Sequence, residues 1–194
     1  MNEKQKGLTK TQIKREIIQF LDDTCGLPDH KPGRYSCGIV HRNCLVLATS
    51  KNDVPRATPL EFFNEGLNIY IIGEPGGKIA NLRKNPKVSA AIYEQPLDHS
   101  KKQKSLQLFG RAELIPMKNN PRLFKAKARK FHFLSSVDKM IESREKAAPL
   151  SEKAKKALKE NILTSLSLIK ITPESAVLRE YDPDFSSSRY TWKK

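Results

Sequence analysis

The chain is short of the features that mark a secreted, metal-bound or membrane protein. Its 194 residues hold three cysteines, Cys25, Cys37 and Cys44, an odd number at gaps of twelve and seven positions. That spacing gives neither a Cys-x-x-Cys pair nor a zinc ligand set, so no metal is expected and the thiols read as reduced and partly buried. No apolar run approaches the ~20 residues that a membrane span needs. The opening stretch MNEKQKGLTKTQIKREIIQFL also has no uninterrupted apolar segment of signal-peptide length. A soluble, cytoplasmic protein without a membrane partner is the expectation. Acid is scarce as well: 21 Asp+Glu stand against 36 Lys+Arg, a net charge of +15. Such a field attracts anions without naming one. Thirteen basic and five acidic residues fall between Lys118 and Glu160, about half of the excess.

Helical spacing of Ile13, Ile17, Ile18 and Leu21 predicts a first helix over 9–24, closed by Gly26 and Pro28. Strands are expected at Cys44 to Thr49, Arg56 to Phe63, Leu67 to Ile72, Val88 to Tyr93 and Ser105 to Ile115. The first three are joined by tight turns and read as an antiparallel meander. The run CLVLAT is apolar throughout, which implies cover on both faces. Gly110 inside the long fifth strand marks a bulge or barrel corner. Three helices follow, Pro121 to Leu134, Val137 to Arg144 and Ser151 to Leu163, and two closing strands at Leu166 to Ile171 and Ala176 to Tyr181.

The fold class expected is mainly β with helical additions, a small antiparallel barrel of six to seven strands, closed or split. One domain is expected over 1–194: the helix at 9–24, a barrel core at 44–116, a helical insertion at 118–163, and closing strands and tail at 165–194. Early connections are too short for parallel crossovers.

The stretch GEPGGKIANLRKNP, Gly73 to Pro86, puts two glycines and a lysine between a strand and a short helix. Freed backbone N–H groups, the helix N-terminus and Lys78 would suit a phosphate. The nucleotide P-loop pattern fails twice, because Ile72 stands where its first glycine belongs and Ile79 where Ser or Thr should follow the lysine. Alone, the turn reads more simply as punctuation between strand and helix. His30, His41, His99 and His132 lie isolated in loops or polar stretches, and no catalytic residue can be named.

Taken together, PRATP at 55–59, the lysine seven residues before Asn85-Pro86, and GRAELI at 110–115 change that balance. Over Cys44 to Pro116 the chain resembles the FMN-binding split barrels of the pyridoxamine 5'-phosphate oxidase-like superfamily. The resemblance implies FMN as cofactor, bound at the interface of a homodimer and used for oxidoreduction of a small, unassigned substrate. It places Arg56 and Lys78 on the phosphate, Gly77 beside them, and Ile71 and Ile72 along the ribityl and phosphate end. Ala57, Thr58, Pro59 and Leu60 would pass along the isoalloxazine ring, and Ser105 or Gln107 would reach it from a later strand. Arg189, Tyr190 and Trp192 could fold over the flavin of the partner subunit; the plainer reading of that tail is a frayed end.

Three departures separate the chain from the oxidases proper. Those place a second arginine where Gly77 stands, commonly a threonine where Ile72 stands, and an Arg-Leu-Ala-Pro terminus where this chain has RYTWKK. Two other readings stay open: a protein that binds flavin, deazaflavin or haem without turnover, and a basic nucleic-acid-binding module. The second is the weaker, because Phe124, Phe131 and Phe133 are spaced for a helix core rather than for stacking on bases.

Overall fold

The computed structural model describes residues 3–4, 7–24, 44–94, 102–184 and 186–194. Cys25, Cys37, His30, His41 and His99, and the turn expected at Gly26 and Pro28, lie outside those residues. In chain order the elements are β1 (Glu3–Lys4), α1 (Lys10–Thr24), β2 (Cys44–Lys51), β3 (Val54–Glu61), β4 (Phe63–Glu65), β5 (Asn68–Gly73) and α2 (Gly77–Lys84). There follow β6 (Lys87–Glu94), β7 (Gln103–Pro116), α3 (Pro121–Lys130), α4 (Phe133–Ala147), α5 (Glu152–Ser165), β8 (Ser167–Tyr181) and β9 (Ser187–Lys193). Apart from the short parallel pairing of β1 with β9, every strand pair is antiparallel.

The sheet runs β1-β9-β8-β7-β6-β2-β3, and the β4–β5 hairpin joins it through β8. β8 is therefore shared: its first part pairs β5 from Ile171 to Ser167, and its second part pairs β9 from Ser175 to Tyr181, while β7 lies along its whole length. The barrel is left open between β3 and β5, which approach each other without a ladder. This is the split-barrel α+β class that the sequence implies. Leu45, Leu47, Ile69, Leu106, Leu108, Ile169 and Leu178 point inward, and α1 adds Ile17, Phe20 and Leu21 to the same core.

Several details depart from expectation. The meander is not continuous, because the chain breaks after Glu61 to bury Phe62 fully and restarts as β4, so β5 pairs β4 and β8 instead of β3. The two closing strands are one, β8. It keeps its ladder with β7 past Pro173 by a register shift at Phe109/Gly110, where a Cβ on Gly110 would lie 2.3 Å from the Thr172 carbonyl oxygen. That bulge is the role expected of Gly110. The tail is a paired strand, with Tyr190 and Trp192 inward and Arg189 and Thr191 outward. The helix expected over Pro121 to Leu134 ends earlier, with a break at Phe131–His132 where His132 is left-handed at φ 55°, which sends Phe131 into the core and Phe133 elsewhere. Finally, among the described residues one face of CLVLAT is covered and the other is not: Leu45 and Leu47 are buried, while Cys44 and Val46 are exposed.

Candidate functional site

Pro55 and Pro59 share one parity in β3, opposite Ser50 and Val46, so their missing N–H groups fall on the edge away from β2. An edge strand with two such gaps cannot accept a further strand along its length. Among the described residues no strand pairs this edge, which borders the opening of the barrel. The opposite parity, Arg56, Thr58 and Leu60, faces the side of Thr49, Leu47 and Leu45.

Across the opening, α2 begins without a side-chain cap. Gly76 has φ 155°, a backbone that residues with a Cβ rarely adopt, and its carbonyl accepts the first helical bond from Ala80 at 3.0 Å. The helix is pinned to β2: the Asn81 side-chain amide donates to Thr49 Oγ1 at 3.1 Å and that of Asn85 to Ser50 Oγ at 3.0 Å. Because Thr49 is also the cross-strand partner of Arg56, one point of β2 fixes both the arginine and the helix. The Arg56 guanidinium then lies directly over Gly77, where a Cβ would be 2.7 Å from Nε. Lys78 follows, half-buried, and neither cation forms an ion pair with any described residue. Two unpaired cations thus stand at a helix N-terminus whose first N–H groups have no intrahelical acceptor.

From Lys78 an open groove of about 280 Å³ runs along the opening, lined by Pro59, Leu60, Glu61, Phe63, Ile72, Glu74, Phe133 and Leu166. Thr58 Oγ1, on β3 between the guanidinium and the groove residues, is shut off from solvent and has no hydrogen-bond partner among the described residues. Its position is the kind of vacancy in hydrogen bonding that a polar ligand fills.

The helical segment reaches the groove because α3 is clamped to the β4–β5 hairpin. Phe63 stacks on Phe131 with centroids 4.5 Å apart, and Tyr70 tilts against the same ring at 5.7 Å. Lys127 bonds Glu65 and lies 4.7 Å above the Tyr70 ring, and Lys130 reaches the other Glu65 oxygen at 2.6 Å. Burial of the Glu65 carboxyl works against its charge, yet the bonds from Lys127 and Lys130 prevail and bring its pKa down from 4.5 to about 2. The Tyr70 hydroxyl is pushed up by burial and by the neighbouring Glu65 charge. With α3 held this way, the turn at His132 delivers Phe133 to the groove.

Of the residues expected at a cofactor, the structure brings Arg56, Gly77 and Lys78 together, and Pro59, Leu60 and Ile72 onto the groove. Thr58 lies between them, and Ile71 is buried in the core beneath. Ala57, Ser105 and Gln107 share a parity that faces outward on the sheet, with Gln107 opposite Ala91 and Ser105 opposite Tyr93. Trp192 is buried in the core of its own chain, opposite Ala176. Sequence reasoning missed Glu61, Phe63, Glu74, Phe133 and Leu166. The first three sit within or beside the quoted motifs, whereas nothing local to Phe133 or Leu166 points to a site that lies between residues 56 and 78.

The profile of the pyridoxamine 5'-phosphate oxidase family matches residues 35–178, a span that contains both the opening of the barrel and the helical segment. The chain belongs to that family. Among individual relatives, an uncharacterized protein of Rhizobium meliloti (strain 1021) is 34% identical over 80 residues, which are 41% of this chain and 52% of that one. The chain thus spans about half the length of that relative. A NimC/NimA family protein from Clostridium acetobutylicum aligns with a TM-score of 0.50 at 16% identity, covering 94% of this chain and 93% of that one. PhzG from Burkholderia lata 383, in complex with tetrahydrophenazine-1-carboxylic acid, aligns at 0.51 and 14%, covering 78% and 76%. At such identities the likeness to these two structures shows the fold alone.

Proposed function

We propose that the chain is an FMN-dependent oxidoreductase that works as a homodimer on a small, anionic substrate. One observation carries this reading: Arg56 and Lys78, both without ion-pair partners among the described residues, meet at the uncapped N-terminus of α2 beside a groove that is mostly apolar. The residues fit the group. Arg56, Lys78 and the first N–H groups of α2 would hold the phosphate, and the Thr58 hydroxyl, without a partner among the described residues, and the β3 edge that no described strand pairs would supply polar contacts for the rest. Pro59, Leu60 and Ile72 offer an apolar floor, and Phe63, Phe133 and Leu166 keep water from the far end. Bound there, flavin supplies the electron transfer, so no side chain has to act as acid or base.

A second copy of the chain fits the outward sheet face. Val46, Tyr93 and Phe109 are exposed there beside Ala91 and Gln107. The wholly apolar run of β2 makes sense once both of its faces are covered. Ser105 and Gln107 would then approach the cofactor from that interface.

The test is the visible spectrum and titration of the purified protein with FMN. Bands of oxidised flavin support the reading, and a protein that gains none on adding FMN, or that shows haem bands instead, overturns it. Lys78→Ala and Arg56→Ala should each weaken FMN by about 1.5 to 3 kcal/mol, the loss of one charge-assisted contact. Unchanged affinity in both would make the turn punctuation after all.

A further inference from the structure

Gly76 and Gly77 stand side by side, and only the first is demanded by the backbone. Gly76 has a positive φ, whereas Gly77 is not among the positive-φ glycines and opens α2 in ordinary helical geometry. At the start of a helix, glycine is a poorer choice than alanine. Something other than backbone shape therefore keeps the side chain off position 77. The three atoms nearest a Cβ built there are Arg56 Nε, Cζ and Nη2, at 2.7, 2.8 and 2.9 Å. The space a methyl group would occupy is filled by that guanidinium.

We infer that Gly77 is a positioning residue: by carrying no side chain it seats the Arg56 guanidinium on the first turn of α2, which sets how Arg56 meets an anion. The seat is rigid on both sides. Arg56 leaves β3 opposite Thr49, and α2 is tied to the same Thr49 through Asn81 and to Ser50 through Asn85, so the turn cannot withdraw to make room. The arginine is the part that gives way, since its far end is flexible and its residue is exposed. A methyl group at 77 would leave the fold intact and move the cation off the helix N-terminus. The second arginine of the oxidases proper could not be added at this position without displacing Arg56.

The inference rests on the FMN reading only for the identity of the anion, and the experiment separates the two. Calorimetric titrations of the full chain with FMN, riboflavin and inorganic pyrophosphate compare wild type, Gly77→Ala, Arg56→Ala and the double variant. Gly77→Ala should weaken FMN and pyrophosphate about tenfold and leave riboflavin, which lacks the phosphate, within about twofold. In the Arg56→Ala background the same change should have no further effect. Its melting temperature should equal or exceed that of wild type. Wild-type affinity for FMN and pyrophosphate in Gly77→Ala, a full additional loss in the double variant, or a marked fall in melting temperature would each overturn the seat. Should neither flavin bind wild type while pyrophosphate binding still depends on Gly77, the seat stands and the FMN reading falls.

Discussion

Thr58 holds a side-chain oxygen that is closed to solvent and meets no donor or acceptor among the described residues. Such a group is a net loss in the ligand-free chain, because it has given up water without replacement. Replacing it with valine should therefore leave the ligand-free protein as stable as before, or more stable by up to about 1 kcal/mol. The same change should weaken FMN if the hydroxyl serves the ligand. Thermal unfolding with and without FMN measures both, and a destabilised ligand-free variant would show that the hydroxyl already has a partner. At this scale the sequence is a good guide where chemistry and spacing coincide, as with Arg56 and Lys78, which PRATP and the glycine-lysine turn single out. It is silent on Thr58's isolation and on the contact between Arg56 and Gly77, because both depend on how β3 faces a helix some twenty residues away.

The clamp between α3 and the β4–β5 hairpin operates on whole elements, and it titrates. Glu65 has its pKa lowered in the folded state from 4.5 to about 2, so its contribution is present above the unfolded value and is lost as pH falls through that window. Glu65→Gln should cost about 1 to 2 kcal/mol at neutral pH through weaker bonds to Lys127 and Lys130. Its deficit against wild type should close as pH drops from 4.5 towards 2. Denaturant unfolding of the two proteins across that range tests this, and a deficit independent of pH would locate the effect elsewhere. Loss of the clamp frees Phe131 from Phe63, and with it the placement of Phe133 in the groove. Elements with continuous apolar runs, such as β2 and β5, were legible from sequence. β9 was not: Ser187 and Ser188 are polar yet buried, and the inward pair Tyr190 and Trp192 is too short an alternation to stand out. The α3–α4 boundary slipped because a left-handed residue can interrupt a helical pattern without any glycine or proline to announce it.

For the whole molecule, the family and the barrel class were legible, but the opening between β3 and β5 was not. Neighbouring strands usually pair, but this chain breaks at the fully buried Phe62 and β5 takes β4 and β8 as its partners. The proposed dimer belongs to this scale too. Substituting Tyr93→Asp and Phe109→Asp together places charge on the exposed sheet face without touching the core. Sedimentation should then show monomers where wild type sediments as a dimer, with FMN affinity reduced alongside; a monomeric wild type would refute the assembly. The shared strand β8 has one more consequence, for how the chain reaches this structure. β5 finds its long-range ladder partner only when Ile69 meets Ile171, closing a loop of about a hundred residues. During synthesis that edge of the barrel has to wait, while β2, β3, β6 and β7 can already pair with one another. The groove therefore forms late, and a chain stalled before residue 167 would hold a half-built sheet whose open strand could pair with a neighbouring molecule.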